Sequence, residues 1–599
     1  MRAYFANNAL MKFQNVLKEQ AKRVFLAPRK LLVALCILIF LLYCLLGGGD
    51  YSSTVSSSFC VANHWGKNRR GVPDDGTHWT HDASVAFVGN GHIGIDVSKE
   101  REVRIAGSQA KIIDFRTGFK PLLNIRFTEG VASSDEVLTD FDQGIVRLAR
   151  CVSLADQCIC SSQNVYIHRS RPNLLVQEIQ IVNPGDRSVT FEFSVDDSKD
   201  WTKGDSLGGS AVFTRIANVA GDKFALAAVC SSVPDKVTIR EKREETFRFM
   251  CVFEQKAVEK EKTEVETLQV VSLAAMSNFA TYKNMNTVSV DMEHYDAWKS
   301  LNNVTFVLSH SKAPNVLNAD LLNYTKYALL SNSKAPLLSA DLNATAKKTL
   351  EDDLTRNELC YTGHPTLLYP SKLWNRWNTV EDLLRTMELW ILTFEKRGCQ
   401  HMLKGGAHGV GQAFVLSLGA LSFTHNHLEM NFDPADLHRE IEIANINVGS
   451  ARVSIQVDID AENKPILYVS SSTPMFACDA ACLDPPVAVG PVKLNLPVKV
   501  TKPLTPILYV ASERKHLQQL RDTIHVVEVA VAPSHENDVI AIHKHGHRLG
   551  GLPTVFWMFL GILVIAFHVF LLKLLYSEWI KKDYTPYNAF LRARYMREH

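Results

Sequence analysis

Three carboxylates near the middle of the chain are of the residue type that acid–base catalysis needs. Glu381, Asp382 and Glu388 fall at positions i, i+1 and i+7. A pair of carboxyl groups can cleave a glycosidic bond when one donates a proton and the other acts as base or nucleophile. The preceding Thr379 is typical of a helix N-cap, and acids are favoured in a first helical turn. We therefore interpret the three acids as capping and solvent-exposed residues, and the sequence predicts no catalytic residue.

Histidines could supply metal ligands or a pH sensor at two places. His543, His545 and His547 alternate before an apolar run, and an extended segment would place all three imidazoles, which titrate near neutral pH, on one side. A polar neck beside a membrane is the alternative that we favour. We expect His425 and His427 to share one strand face in a surface or core role. The sequence therefore predicts no metal site and no cofactor, and it lacks the G-x-S-x-G, Walker and H-E-x-x-H motifs.

Cysteines and glycosylation sequons place most of the chain outside the cytosol. The sequons at Asn303, Asn323 and Asn343 predict N-linked glycans. An even number of cysteines in an oxidising compartment predicts disulfides, whose pairing the sequence leaves open. The ten candidates among the twelve cysteines are Cys60, Cys151, Cys158, Cys160, Cys230, Cys251, Cys360, Cys399, Cys478 and Cys482.

Two uncharged apolar runs predict membrane-spanning helices. Residues 31–46 and 553–572 contain no charged side chain, and about 20 apolar residues cross a bilayer. Basic residues dominate both chain ends, so the positive-inside rule puts both ends in the cytoplasm and the middle in the lumen or outside the cell. A cleaved signal peptide is the alternative for the first run. Arg592 and Arg594 resemble a retention signal of the endoplasmic reticulum, and the predicted location is that membrane or another one of the secretory pathway.

Periodicity predicts a mostly β protein with a helical insert. Alternating apolar residues predict a β-sandwich over residues 77–306 and a second β domain over residues 420–531, with strands at residues 451–459, 465–472 and 491–500 in the second. Within the first, residues 174–182 and 188–195 flank an Asn-Pro-Gly-Asp turn and predict a hairpin. Residues 307–419 show helical periodicity. The other predicted segments are a basic N-terminus (1–30), a first span (31–49), a linker (50–76), a neck (532–552), a second span (553–576) and a cytoplasmic tail (577–599).

Three segments resemble, in the same order, the clan of maltose, trehalose and kojibiose phosphorylases. They read FVGNGHIGI (87–95), HYDAWKSLNNVTF (294–306) and GGAHGVGQAFVLSLGALSFTHNHLEMNFDP (405–434). The resemblance implies a super-β-sandwich, then an (α/α)6 barrel that carries a catalytic glutamate, then a small jelly roll.

The helical interval is too short for that barrel. Twelve helices with their loops need roughly 200 residues, whereas residues 307–404 provide 98. Where the phosphorylases have an acid motif, residues 360–370 read CYTGHPTLLYP, without a carboxylate. We therefore expect a partial barrel without the catalytic glutamate. With its two terminal spans, the chain also resembles an uncharacterised family of animal membrane proteins that carries only a domain-of-unknown-function label.

These observations predict a non-catalytic, membrane-anchored lumenal protein that binds a partner protein or a glycan as an accessory subunit. Two alternatives stay open: an active glycosidase or phosphorylase with a rebuilt site, and a purely structural stabiliser of a membrane complex. The segment between the spans has more acidic than basic residues, which argues against binding to nucleic acid.

Overall fold

The computed structural model describes residues 60, 64, 79–80, 85–107, 111–128, 133–154, 157–204, 209–219, 221–259, 263–339, 342–355, 360–361, 371–424, 426–547 and 554–582. Within them the chain is mostly β, as predicted, with ten α-helices.

The strands of the described residues are, in chain order, β1 (Trp79–Thr80), β2 (Phe87–Gly89), β3 (Ile93–Asp96), β4 (Val103–Ile105), β5 (Phe115–Arg116), β6 (Leu123–Phe127), β7 (Ser133–Asp140), β8 (Ile145–Leu154), β9 (Gln157–Ile167), β10 (Leu174–Asn183), β11 (Val189–Val195), β12 (Thr202–Lys203), β13 (Ser210–Val219), β14 (Asp222–Ser231), β15 (Lys236–Ile239), β16 (Arg243–Ala257), β17 (Thr305–Leu308), β18 (Leu421–Thr424), β19 (His427–Met430), β20 (Ile441–Val448), β21 (Ala451–Ile459), β22 (Pro465–Ser471), β23 (Met475–Asp479), β24 (Val487–Val489), β25 (Leu494–Pro497), β26 (Lys499–Lys502), β27 (Leu508–Ala511) and β28 (Glu528–Val531).

The α-helices of the same residues are α1 (Glu264–Lys283), α2 (Thr287–Leu301), α3 (Ala319–Asn332), α4 (Ala344–Thr355), α5 (Val380–Lys396), α6 (Gln400–Leu403), α7 (Ala407–Leu418), α8 (Arg514–Thr523), α9 (Asn537–His545) and α10 (Thr554–Lys582).

A nine-stranded antiparallel sheet, of order β1-β7-β8-β9-β10-β16-β14-β13-β12, forms the centre of the N-terminal β region. Two smaller sheets, of order β2-β3-β4-β5 and β15-β11-β6, cover one of its faces. Alternate residues of β10, such as Leu175, Ile179 and Ile181, are buried beneath them. This packing buries the apolar residues that alternate along each strand, so the sheets are held together face to face.

The strands predicted at residues 174–182 and 188–195 are both present, but the predicted hairpin is wrong. β10 pairs with β9 and β16 in the large sheet, whereas β11 pairs with β6 and β15 in the three-stranded sheet. Asn183, at the turn, donates from Nδ2 to the carbonyl oxygens of Arg187 and Arg240. The chain therefore crosses between layers here, because alternation gives a strand its buried face and leaves its pairing partner undetermined.

Two helices, α1 and α2, occupy residues that we predicted to be β, so the prediction of β structure up to residue 306 was wrong beyond β16. Thr263 and Glu266 form a reciprocal capping box at the start of α1. The helix buries Val271, Ala275 and Phe279 against the other face of the nine-stranded sheet. Because about one residue per turn is buried, the apolar stripe is too narrow to give a strong helical period.

Five α-helices, α3 to α7, lie among the described residues of 307–419. In α3, every residue from Tyr324 to Asn332 is buried. α5 begins at its predicted cap, where the Thr379 hydroxyl accepts a hydrogen bond from the Asp382 N–H at 3.1 Å, and its apolar residues such as Leu383 and Trp390 are buried. The helices share one apolar core with the C-terminal strands.

The C-terminal β region contains two five-stranded antiparallel sheets, β17-β20-β21-β22-β25 and β18-β19-β27-β23-β24. The strands predicted at residues 451–459 and 465–472 are confirmed as β21 and β22. The predicted strand at residues 491–500 is instead divided into β25 and β26, which pair with β22 and β28.

The extended segment that would have placed the three histidines on one side is not present, because α9 carries His543 and His545, and His547 lies beyond its end. Alternate residues on a helix do not share a side, so the three histidines are not aligned. The strand expected to carry both His425 and His427 is interrupted by a turn, since β18 ends at Thr424 and β19 begins at His427. His425 itself lies outside the described residues.

One helix of the described part of the chain is long and apolar enough to span a membrane. It comprises 25 residues, Val555–Trp579, and none of it is buried. The first predicted span (31–49) and the retention-signal candidates Arg592 and Arg594 lie outside the described residues. The ten candidate cysteines form five disulfides: Cys60–Cys158, Cys151–Cys160, Cys230–Cys251, Cys360–Cys399 and Cys478–Cys482.

Candidate functional site

A cleft of about 590 Å³ lies between the N-terminal β region and the helices, and residues of the first and third segments that resemble the phosphorylases line it. We call it the basic cleft. Its ionisable lining residues within the described part of the chain are His92, Lys111, Arg169, Lys334, Glu395 and Lys404.

The first segment reaches the cleft through the turn between β2 and β3. The Asn90 side chain accepts hydrogen bonds from the N–H groups of His92 and Ile93, which closes the turn. Its Nδ2 donates to the carbonyl oxygens of His168 and Pro172. Asn90 therefore fixes the turn and the loop after β9 to each other.

Glycines of the first and third segments contact the backbone of Lys334 from two sides. Gly91 and Gly406 have positive φ angles of 84° and 64°. A Cβ atom would lie 2.1 Å from the Lys334 nitrogen if added at Gly91, and 2.2 Å from the Lys334 oxygen if added at Gly406. The Ala407 N–H also donates to the Lys334 oxygen at 2.7 Å. Both positions require glycine for their conformation and for the close approach.

The second segment supplies His294 and Trp298, which are buried on one face of α2. Nδ1 of His294 accepts a hydrogen bond from the Arg169 N–H at 3.2 Å. The guanidinium of Arg169 lies 5.5 Å from the centroid of the Trp298 ring, within the range of a cation–π contact. Both residues of the His-x-x-x-Trp pattern therefore position Arg169.

Arg169 is the central charged group of the cleft and is only 3% exposed. Its Nη2 donates to the Ser333 carbonyl at 2.7 Å, while Nε and Nη1 have no hydrogen-bond partner within the described residues. Burial lowers the pKa of Arg169 to about 9, so it stays charged at neutral pH. A buried cation without a counter-ion is costly, and an anion in the cleft would relieve that cost.

The remaining lining residues make the cleft cationic. Lys111, Lys334 and Lys404 join Arg169 against one carboxylate, Glu395, and both oxygens of Glu395 lie 2.6 Å from Nζ of Lys111. Burial, followed by the charges of Lys334 and Arg169, lowers the pKa of His92 to about 4. The imidazole of His92 is therefore neutral at pH 7 and adds no positive charge to the cleft.

The acids considered from sequence lie on α5. Glu381 forms an ion pair with the buried Arg104, and this hydrogen bond lowers the pKa of Glu381, the opposite of what a general acid needs at neutral pH. Asp382 is in the first turn of α5, and Glu388 is exposed. None of the three is among the residues described as lining the basic cleft.

The other predicted sites are dispersed. Asn343 is exposed, whereas Asn303 and Asn323 are half-buried. His427 is buried and bonds through its two ring nitrogens to Glu429 at 2.7 Å and His516 at 2.9 Å. Among the described residues, no group of three or more histidine, cysteine or acidic side chains could hold a metal ion.

Sequence reasoning missed Arg169. It falls in a loop after β9, within the basic stretch His168-Arg-Ser-Arg171, and loops with several basic residues are common on protein surfaces. Its burial comes from α2, which follows it by more than 100 residues, so no local pattern carries the signal.

Comparison with known proteins finds uncharacterised relatives and weak structural likeness to solved proteins. The chain is 30% identical to "Uncharacterized protein KIAA2013 homolog" of Xenopus tropicalis over 533 residues, 84% of this chain and 83% of the relative. The Xenopus laevis homolog is also 30% identical, over 534 residues and 84% of each chain. A solved structure described as a putative kojibiose phosphorylase from the human microbiome is similar with a TM-score of 0.32, 9% identity and 43% of each chain covered.

The profile of a family described as an uncharacterized conserved protein (DUF2152) matches residues 10–598. This match extends over nearly the whole chain and agrees with the two Xenopus relatives. The protein belongs to the DUF2152 family.

Proposed function

We propose that the protein is a membrane-anchored, non-catalytic binding protein of the secretory pathway, whose basic cleft takes an anionic ligand such as a phosphorylated or sulfated sugar. The single observation that carries this proposal is Arg169, which lines a cleft of about 590 Å³ and has two buried guanidinium nitrogens without a hydrogen-bond partner in the described part of the chain. Arginine is suited to planar recognition of phosphate, sulfate and carboxylate groups.

The carboxyl chemistry of the cleft supports binding over cleavage. Glycoside hydrolysis uses two carboxyl groups on either side of the scissile bond. The described lining offers Glu395 alone, and Lys111 occupies both of its oxygens. A reduced helical barrel, as the sequence predicts, would leave such a cleft without the opposing acids.

The anchor supports a role beside a membrane. The apolar helix Val555–Trp579 and five disulfides fit a domain held outside the cytosol on a membrane. In that position the protein would act as an accessory subunit that presents its cleft to a glycan or to a glycan-bearing partner protein.

Binding of glucose 6-phosphate and of glucose to the full-length, detergent-solubilised protein tests the proposal, because the two probes differ only in the phosphate. We expect glucose 6-phosphate to bind and glucose to bind at least about tenfold more weakly, since a charge-assisted contact to a buried group contributes about 1.5–3 kcal/mol. The variant Lys404→Ala should weaken the binding of glucose 6-phosphate by less than this tenfold factor, because Lys404 is exposed.

A glucoside panel, with and without inorganic phosphate, tests the absence of catalysis. We expect no turnover of any glucoside. Cleavage that one acidic substitution, such as Glu395→Gln, abolishes would overturn the non-catalytic assignment, and equal affinity for glucose and glucose 6-phosphate would overturn the anionic ligand.

A further inference from the structure

A second cavity, of about 640 Å³, opens between the nine-stranded and three-stranded sheets. We call it the sandwich groove. Its base is the covered face of the large sheet at β13, β14 and β16, where the disulfide Cys230–Cys251 joins neighbouring strands. The loop before β6 and the segment after β11 form its sides. The groove lies at the boundary between the two apolar clusters that the smaller sheets make with the large one.

Aromatic side chains line this groove and are held in fixed orientations. Trp201 is half-buried, and its Nε1 donates to the Thr117 carbonyl at 2.8 Å, which fixes the orientation of the indole ring. The Trp201 ring packs on Phe119 at 4.7 Å between centroids, and Phe119 packs on Phe213 at 5.4 Å. Phe249 lines the groove from β16.

Hydrogen-bonding groups line the same groove as these rings. Asp196, Asp197 and Ser198 follow one another directly after β11 and line the groove. Asp197 is exposed, whereas Asp196 accepts a hydrogen bond at Oδ1 from Asn124 and lies 3.9 Å from Nε of Arg101 at Oδ2, so Asp197 is the less compensated of the two acids. Two carboxylates face one lysine, Lys203, among the charged lining residues, so the charge of the groove is opposite to that of the basic cleft.

We infer that the sandwich groove is a second binding site and that it takes a neutral sugar ring. A pyranose has an apolar C–H face that packs on an aromatic ring and hydroxyl groups that donate to carboxylates, so it matches the placement of Trp201 beside Asp196 and Asp197 in one groove. The cavity volume is within the range of small-molecule sites. The two carboxylates disfavour phosphorylated or sulfated sugars, because like charges repel. This inference is independent of the anionic ligand proposed for the basic cleft.

Saturation-transfer difference NMR on the full-length, detergent-solubilised protein tests the inference. The probes are cellotriose, mannotriose and triacetylchitotriose, and the competing probe is the cationic tripeptide Gly-Arg-Gly. We expect at least one neutral trisaccharide to bind, and Trp201→Ala to weaken it about tenfold because a ring-stacking surface is lost.

Two further variants separate loss of the site from loss of the fold. Asp197→Ala removes an exposed acceptor and should weaken the same trisaccharide about two- to tenfold. Asp186→Ala, which removes an exposed acid paired with Lys242 elsewhere in the N-terminal β region, should leave binding unchanged. No binding of any trisaccharide, binding that Trp201→Ala and Asp197→Ala both leave intact, or preferential binding of Gly-Arg-Gly would overturn the inference.

Discussion

The guanidinium of Arg169 lies over the indole ring of Trp298, 5.5 Å from its centroid, and no carboxylate of the described residues forms an ion pair with it. A cation–π contact compensates for only part of the hydration that a buried cation loses. The two residues therefore form a preformed but incomplete site, in which the missing element is a negative charge from a ligand.

Replacing this arginine should abolish ligand binding without lowering the thermal stability of the protein. Arg169→Met removes the unpaired buried charge with little change in side-chain length, and the relief of its desolvation cost offsets the about 1–3 kcal/mol lost when the Ser333 carbonyl loses its hydrogen bond. We expect the Tm without ligand to stay the same or rise. Glucose 6-phosphate should raise the Tm of the wild type, because a ligand that binds only the native state stabilises it, and should no longer raise that of the variant. Thermal unfolding of the purified protein in a buffer without phosphate measures both.

Arg248→Met is the matched control for this substitution. Arg248 donates to both oxygens of Asp291, at 2.8 and 3.0 Å. Its loss leaves a carboxylate unpaired and should destabilise the protein by about 2 kcal/mol. A fall in Tm for Arg169→Met as large as that for Arg248→Met would contradict the description of Arg169 as an uncompensated charge.

The contact between the β2–β3 turn and Lys334 should be intolerant of any side chain. Gly91→Ala combines an unfavourable positive φ with a Cβ atom 2.1 Å from the Lys334 nitrogen. Gly449→Ala is its control, because Gly449 also has a positive φ, of 58°, but no atom within 4 Å of an added Cβ. We expect Gly449→Ala to lower the free energy of unfolding by about 1–2 kcal/mol, because only the unfavourable positive φ contributes.

Gly91→Ala should cost several kcal/mol more than its control, because backbone atoms must move to relieve the clash. Chemical denaturation of the two variants gives the difference. Equal destabilisation would mean that the turn and Lys334 are not in contact.

Glycan occupancy should follow exposure. Asn343 and Thr345 of one sequon are exposed beside α4, whereas Thr325 of the sequon at Asn323 is fully buried in α3 and donates to the Leu321 carbonyl. We expect Asn343→Gln to remove one N-linked glycan, seen as a mobility shift that enzymatic deglycosylation of the wild type reproduces. Asn323→Gln should produce no shift, and an equal shift for both variants would contradict the reading from exposure.

The sequence predicts local structure well where one face of an element is buried and poorly where burial comes from a distant segment. The Thr379 cap of α5 and the strands β21 and β22 follow from nearby residues. The layer change at Asn183 and the burial of Arg169 depend on contacts across the fold, which no window of sequence contains. The three segments that resemble the phosphorylases indicated where chain segments meet, although the arginine at their meeting point lies outside all of them.

Acidification should release α9, the helix that precedes the apolar helix α10, from the C-terminal β region. The His543 ring stacks on His438 with centroids 4.5 Å apart, and its Nδ1 bonds to the Ser311 hydroxyl at 2.8 Å. Burial, followed by the charges of His438 and Arg439, lowers the pKa of His543 to about 4. His535 also faces His438, at 6.1 Å, and burial lowers the pKa of His438 as well.

A histidine whose pKa is lower in the docked state than its ordinary 6.5 favours docking above pH 6.5, and this contribution is lost as the pH falls toward 4. The charge of Asp436 opposes the lowering of the His438 pKa only in part, because it favours the protonated form of His438. Amide hydrogen exchange of α9, measured relative to α8 in the same sample at about pH 7.5 and about pH 4.5, detects the release. We expect α9 of the wild type to lose protection relative to α8 in acid, and His543→Gln, which cannot gain a proton, to lose less. Unchanged relative protection in the wild type would show that the histidine stack does not control docking.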